Sequence, residues 1–399
     1  MAAEASLSAG PPLRSVAPVV PLPRETVEST LRAAIVHERF TDWAGSEKVV
    51  EQMAGMWPNA TIFTTVCDEG GLPASMQGRR IVTSNLQRPF NRLGHYEYLL
   101  PAMPHAMAKL QLPSDVDVAI LSHHAFSNRV SVAPGIPTLS YVYSPARWMW
   151  DPSMLTAERG PWPLRKALSL WSRRQLAADF EAAQRVTTLV AISRHVQTRI
   201  ARWWDRPSEI LHPPVDTGFY CTDETPREDF FLLAGRLVPY KQPELAVAAA
   251  LAAGVRLVVA GEGRMQQDLM RLADGSPLIE FVGRVSDEEL RDLYRRCAAF
   301  IFPGEEDFGI VMAEAQSCGA PVIARRIGGA LDIVESGVTG DLYDVPDSTA
   351  AAHVEALTRS MRRFDQGSFD SRTIAAAAQR FSRQNFRSGL TELALQTCG

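Results

Sequence analysis

The chain is poor in cysteine: its 399 residues hold five (Cys67, Cys221, Cys297, Cys318 and Cys398), set far apart and without a C-x-x-C pair. An odd count at that spacing excludes a disulfide frame and a cysteine-built zinc site, and it suits a reduced compartment, here read as the cytoplasm. Also missing is any run approaching the roughly 18 to 20 apolar residues of a spanning helix. A formal net charge of −4 gives nucleic acid and other polyanions no general field to follow. Residues 1–30, "MAAEASLSAGPPLRSVAPVVPLPRETVEST", carry repeated prolines and no unbroken apolar core of signal-peptide type. They read as a disordered lead-in.

What remains is ordinary globular usage, 46% hydrophobic and 22% charged, over a length that exceeds a single core. From Leu31 onward short apolar runs alternate with longer amphipathic ones, the pattern of parallel strands crossed by helices. Strands are expected at Ala33–Val36, Thr61–Thr65, Val116–Leu121, Thr138–Val142 and Thr188–Ile192, with a helix from Ser46. Prolines and charge interrupt the rhythm at 209–229, "EILHPPVDTGFYCTDETPRED", read as a linker. The rhythm restarts with "FFLLAG", "RLVVAG", a strand near Ile279–Val282, a Ser286/Glu289 capping box, "AAFIFP" and "APVIA". Two doubly wound α/β domains follow, 31–212 and 213–383, with the last helix at 384–399 expected to pack back on the first. Ligands of such folds sit beyond the carboxyl ends of the strands, so the cleft between the halves is the place for a site.

Several motifs border that cleft. "LLAGRLVPYKQPELA" sets Gly235, Arg236 and Lys241 between a buried strand and a helix N-terminus, where dipole, N–H groups and cations all favour a diphosphate. A solvated loop with a glycine cap is the plainer reading of the same residues. "VAGEGRMQQ" lacks the third glycine of a dinucleotide fingerprint and does not open its domain, so hydride transfer is poorly supported. "SDVDVAI" contains a literal D-x-D, but Asp115 and Asp117 precede a strand where a metal role would need a loop after one. In "EEDFGIVMAEAQSCGAPVIARRIGG", Glu306 precedes a helix N-terminus and Glu314 lies more than one turn inside the helix. Ionised carboxylates only accept hydrogen bonds, so the pair suits hydroxyls at two ends of one extended ligand, such as a nucleotide-sugar.

Glu306, Phe308, Gly309 and Glu314, followed by Ala315, Gly319, Pro321 and the Gly328–Gly329 pair, resemble the E-x7-E signature of glycosyltransferase family 4. The likeness extends over 230–344 through "AGRLVPYKQ", "VVAGEG", "FVGRVSDEEL" and "ESGVTGDLYD". It implies the GT-B fold, two Rossmann-like domains facing across a cleft, with retention of anomeric configuration and no metal cofactor. It also implies that Arg236, Lys241, Gly283, Arg284, Glu306, Phe308, Gly309, Ile310 and Glu314 hold the donor.

In the first half "WAGSEKVV" is similar to the family's glycine loop, with Trp43-Ala44 in place of one glycine, which leaves Gly45 for close approach to the phosphates. "ILSHHAFSNRV" resembles the segment with the family's strand-end histidine and points to His124, with His123 as a packing neighbour. "SYVYSPARWMWD" is similar to the acceptor-side segment of mannosyltransferase-like members, which implies Tyr143, Arg147 and Trp148 near the acceptor, with Arg39 expected on the same side. The resemblance thus implies transfer of a hexose, with mannose from GDP-mannose preferred, to a lipid-linked or polysaccharide hydroxyl; the implied catalytic group is His124, Glu306, Arg236 and Lys241. A nucleotide-sugar epimerase and a non-catalytic nucleotide-sugar-binding protein are the alternatives. Residues 159–176, "RGPWPLRKALSLWSRRQL", read as a core-packed helix with a solvated basic face, or, for a lipid-linked acceptor, as a peripheral contact with anionic head groups at the inner membrane face.

Overall fold

The computed structural model describes residues 31–151, 162–347 and 349–399, with the backbone alone for 162–169. Two sheets organise it, and all their paired strands run parallel. The first contains β1 (Ala33–His37), β2 (Thr61–Thr64), β3 (Ile81–Thr83), β4 (Val118–His123), β5 (Thr138–Val142), β6 (Thr188–Ala191) and β7 (Glu209–Ile210), in the order β3-β2-β1-β4-β5-β6-β7. The second contains β8 (Phe231–Ala234), β9 (Leu257–Ala260), β10 (Ile279–Gly283), β11 (Ala299–Phe302), β12 (Val322–Arg325) and β13 (Gly340–Tyr343), ordered β10-β9-β8-β11-β12-β13. Each sheet starts at its middle, grows outward to one side and then crosses over to build the other. The switch points lie between β1 and β4 and between β8 and β11, where strand-exit loops part and leave a crevice. This is the GT-B arrangement.

The central strands are buried and mostly apolar on both faces because helices cover both sides. In the second sheet Leu232, Ala234, Val258, Ala260, Phe300 and Phe302 pack into one cluster, which continues through Phe308 and Phe381 into the core of the first sheet. Phe231, Leu233, Leu257, Val259, Ala299 and Ile301 fill the opposite face. That alternation is the period-two geometry of a strand. Each fully buried Leu, Ile or Phe contributes about 1.5–3 kcal/mol by removal from water.

Three details differ from the sequence reading. The strand expected at Val116–Leu121 runs two residues later, because Asp117 is held outside it by the Arg32 backbone N–H (2.7 Å) and guanidinium (2.8 Å). The segment read as a linker from 209 begins with β7, two residues paired to Val190 and Ala191 and too short to carry a periodic signal. β3 and β13 are edge strands that hydrophobic pattern did not reveal. The Ser286/Glu289 capping box forms as read, with both reciprocal bonds present (2.8 and 3.1 Å).

The helix Arg383–Cys398 returns to the first sheet. Phe386 meets Tyr141 edge-on at 5.5 Å, Arg387 donates to Gln52 (2.7 Å) and Thr397 bonds Thr188 (2.9 Å). Among the described residues no helix is long and apolar enough to cross a membrane. The reading of 159–176 falls in part outside the described residues. Of its remainder, Trp171 stacks on Trp148 (5.2 Å between centroids), and Arg173 and Arg174 are exposed.

Candidate active site

The exits of the second sheet lie directly against one another. Gly263 packs on the loop after β8 so closely that a Cβ there would stand 2.3 Å from the Leu237 carbonyl oxygen. This backbone contact explains the glycines of "AGEG" without a dinucleotide. In the same way a Cβ on Gly329 would lie 2.1 Å from Phe308 O, and the Gly329 N–H donates to Glu306 O at 2.9 Å. The glycine pair that closes the E-x7-E stretch is therefore the floor under the loop carrying Glu306.

On this platform Lys241, at the end of a short 3-10 turn, places Nζ 2.8 Å from Glu306 Oε1, both side chains less than one-fifth exposed (16% and 19%). The two residues that the resemblance assigns to diphosphate and sugar thus neutralise each other here. Arg236 is exposed on the same loop, with Nη2 3.3 Å from the Tyr240 hydroxyl. Gly283 ends β10 with a left-handed φ of 68° and accepts the Gly261 N–H (2.6 Å), and Arg284 beside it is exposed.

Phe308 is buried between His212 (5.3 Å, stacked) and Phe381 (5.4 Å, edge-on), which anchors the start of the Ile310–Ser317 helix. Gly309, at φ 89°, makes the turn into that helix, and Ile310 is half-buried. Glu314 lies in its second turn, 9% exposed. Burial pushes its carboxyl up to about 7; Lys48 and Lys241 pull the other way and Asp287 adds to the rise. Lys48 belongs to the first sheet's Gly45–Met56 helix, so Glu314 already feels the opposite half.

Across the cleft Gly45 opens the Gly45–Met56 helix, exposed, with nothing within 4 Å of where a Cβ would stand. Glu47 fixes this loop: its carboxylate accepts from the Ala44 N–H (3.2 Å) and Ser46 Oγ (2.9 Å) and lies 3.4 Å from His37 Nε2. Burial, the largest single influence, would raise Glu47, but the His37 hydrogen bond and charge, a backbone N–H and His124 together hold the carboxyl at about 2. Tyr143 donates its hydroxyl to Ser46 O (3.1 Å) and meets Ser122 Oγ (3.0 Å), which in turn meets His37 Nδ1 (3.0 Å). A chain of polar groups so ties the ends of β1, β4 and β5 to the Gly45 loop.

The two histidines at the end of β4 are in different settings. His123 is fully buried against Trp204 (5.4 Å) and its Nδ1 accepts the Asn128 N–H (3.3 Å). His124, the first residue past the strand, keeps its side chain 24% exposed, with Nδ1 3.6 Å from Glu38 Oε2. Arg39 holds its guanidinium 4.3 Å above the Tyr96 ring. Arg147 points to Asp307 (3.8 Å), and Trp148 packs between Trp171 and Phe126.

Sequence reasoning missed three acids that organise these parts, and the arginines that two of them pair with. Glu38, 1% exposed, follows the β1 strand. Its Oε1 accepts backbone N–H groups from His124 (3.2 Å), Ala125, Phe126 and Ser127 (3.3 Å). Asp307 and Arg199 pair with each other, and Arg199 also reaches Ser144 Oγ (3.2 Å) and Glu305 (3.4 Å). Asp332 takes both the backbone N–H (2.9 Å) and the guanidinium of Arg194. The acidic run Glu305–Asp307 was visible in sequence; the Arg199 partner of Glu305 and Asp307, more than a hundred residues away, was not. These pairs join the Glu305–Asp307 loop and the Asp332 helix to the first half. Among the described residues no group of three or more His, Cys, Asp or Glu is arranged to hold a metal ion.

Comparison with known proteins matches residues 222–363 to the family described as glycosyl transferases group 1. The chain is 34% identical over 230 residues to a D-inositol 3-phosphate glycosyltransferase of Mycobacterium marinum, covering 52% of this chain and 46% of the relative. The counterpart in Mycobacterium bovis is 32% identical over 199 residues, covering 44% and 41%. The chain thus spans about half the length of the curated relatives it matches. In fold it is similar to Anabaena HepE, solved with UDP and glucose (TM-score 0.65, 17% identity, 92% of this chain and 100% of that one). The sucrose-phosphate synthase of Thermosynechococcus elongatus is similar too (TM-score 0.62, 17% identity, 92% and 98%).

Proposed function

We propose that this chain is a GT-B glycosyltransferase that moves a hexose from a nucleotide-sugar to a hydroxyl acceptor with retention of configuration. The preferred donor is GDP-mannose and the preferred acceptor a lipid-linked or polysaccharide hydroxyl. The reading treats 31–212 as the acceptor-side unit and 213–383 as the donor unit. The observation that carries it is the Lys241–Glu306 pair (2.8 Å) on the loops at the second sheet's switch point. Asp307, next in sequence to Glu306, is gripped there by Arg199 from the first half.

In this reading a diphosphate takes Lys241 from Glu306. Arg236 and Lys241 then neutralise the charge that grows on the phosphate as the bond to the anomeric carbon breaks. Glu306, freed of its cation, accepts from hexose hydroxyls, and the N–H groups at Phe308–Ile310 face the same ligand. Glu314 accepts from the ribose hydroxyls, whose donors favour its ionised form. Gly45 allows the phosphates close to the first half, and His124 meets the sugar from that side. The acceptor oxygen bonds to the anomeric carbon on the face the phosphate leaves, and its proton passes to the departing phosphate oxygen. No metal enters any step. Arg39, Tyr143, Arg147 and Trp148 border the acceptor approach, and a peripheral membrane contact through 159–176 suits a lipid-linked acceptor.

The test incubates the purified protein with GDP-, UDP- and dTDP-sugars in EDTA, with and without candidate acceptors, and analyses both nucleotide and sugar products. Acceptor-dependent nucleotide release with a new glycosidic bond is expected. A sugar isomerised without acceptor would make the chain an epimerase; binding with no turnover would make it a non-catalytic binder. Loss of all release in EDTA would overturn the metal-free step.

A further inference from the structure

Glu38 is the most heavily bonded carboxylate near the cleft, yet it has no place in the reaction described above. It sits at the carboxyl end of β1, 1% exposed, on the opposite side of the switch point from His124. One oxygen, Oε1, accepts four successive backbone N–H groups, those of residues 124 to 127, and its position is fixed by them. The other oxygen, Oε2, faces His124 Nδ1 at 3.6 Å. That is longer than a hydrogen bond and is an electrostatic contact. The ring is fixed from other sides by His37 (5.7 Å between centroids) and Tyr143 (6.1 Å). His124 Nε2 is buried without a hydrogen-bond partner among the described residues.

An ionised carboxylate has lone pairs and no proton to give. The imidazole nitrogen it faces must therefore carry the hydrogen. We infer that Glu38 is a positioning residue that holds His124 as the Nδ1–H tautomer, so that Nε2 presents a lone pair and recognises a sugar hydroxyl, not a phosphate oxygen. The adjacent His123 provides an internal contrast. Its Nδ1 accepts the Asn128 N–H (3.3 Å) and meets Ser127 Oγ (3.1 Å), which requires the opposite tautomer, and its ring is fully buried, with Nε2 likewise unpartnered among the described residues. Two neighbouring histidines are thus set in opposite states by what their Nδ1 atoms face. Burial, stronger than the opposing pull of Glu38, holds the His124 pKa at about 4, which keeps the ring neutral and the distinction between tautomers meaningful at neutral pH.

The consequence for sugar recognition rests on the glycosyltransferase reading, whereas the tautomer does not, and the test separates the two. Histidine-labelled (15N) full-length protein is examined by long-range 15N–1H NMR, with His124→Asn identifying the His124 signals. Wild type is expected to show the proton on Nδ1 of His124. In Glu38→Gln the amide oxygen still accepts from the 124–127 backbone while its NH2 group faces Nδ1. The proton is then expected on Nε2, with thermal stability and nucleotide affinity close to wild type. Transfer should fall about 10- to 100-fold in kcat, the loss that comes with a misdirected group at the reacting centre. A wild-type proton on Nε2 overturns the inference even if Glu38→Gln fails to fold, and so does a tautomer unchanged by the substitution. If wild type transfers no sugar from any nucleotide donor while the tautomer switches, the tautomer assignment stands and the functional reading fails.

Discussion

Gly329→Ala and Gly45→Ala separate two reasons for glycine at this site. Gly329 has ordinary helical dihedrals (φ −67°, ψ −16°), so alanine there introduces no backbone strain. Its Cβ, however, would stand 2.1 Å from Phe308 O and 2.3 Å from Phe308 Cα. Ordinary contact begins at 3.4 Å, so the loop of Glu306 and Phe308 must move by about 1.3 Å, and the atoms in the way are backbone with no rotamer to relieve them. Overpacking of this kind destabilises by about 1–3 kcal/mol. A displacement of about 1 Å at a positioning group lowers kcat by roughly 100-fold. Gly45 is the opposite case, exposed and with nothing within 4 Å of an added Cβ. Gly45→Ala should leave the melting temperature equal to or above wild type, since alanine is the better helix former by about 1 kcal/mol. It should nonetheless weaken donor binding, because the diphosphate would have to pass the new methyl group. Thermal melting, calorimetric titration with nucleotide-sugar and steady-state transfer rates check both variants. Wild-type kcat in Gly329→Ala would refute the argument that the glycine floor sets Glu306. Wild-type donor affinity in Gly45→Ala would refute close approach at Gly45.

Two further outcomes follow from the charged groups. Glu306→Ala should abolish transfer while nucleotide affinity holds or rises, because Lys241 loses the carboxylate it holds at 2.8 Å and turns to the phosphate; Arg236→Ala should weaken nucleotide binding itself. Equal nucleotide affinities in both variants and wild type, measured by titration, would overturn that division. Glu314 has its folded pKa raised from the ordinary 4.5 to about 7, mainly by burial. Between those values the native state holds more protons than the unfolded one, so stability is full below pH 4.5 and is lost as pH rises towards 7, by about 3 kcal/mol in total. Glu314→Gln removes that loss: its melting temperature should match wild type near pH 4.5 and exceed it at pH 8, while nucleotide affinity falls. A melting-temperature difference independent of pH would contradict the raised pKa.

How much of this was legible beforehand depended on the range of the interaction concerned. The alternation of apolar runs gave most strands of both sheets, because a strand buried between helix layers must be apolar whichever face a residue points to. Capping at Ser286 was equally local, three residues from acceptor to donor. The short β7 and the edge strands β3 and β13 carried too few buried residues to leave a pattern. Of the candidate site, the sequence reading singled out Lys241 and Glu306 by their place after a strand and Glu314 by its place in a helix, but the direct Lys241–Glu306 contact left no local sign. The two residues are brought together where the exits of β8 and β11, neighbours in space, lie side by side.

The sequence by itself determined the alternation of strands and helices and the glycines and charges at their ends, since each depends on neighbours within a few residues. Only the tertiary structure decided which charges meet. Glu38 finds the backbone of residues 124 to 127 because β1 and β4 are adjacent strands, and Arg199 finds Asp307 because the two halves face each other across the cleft. A carboxylate's partners are chosen by distance in space, which falls off within a few ångströms and leaves no periodic trace along the chain.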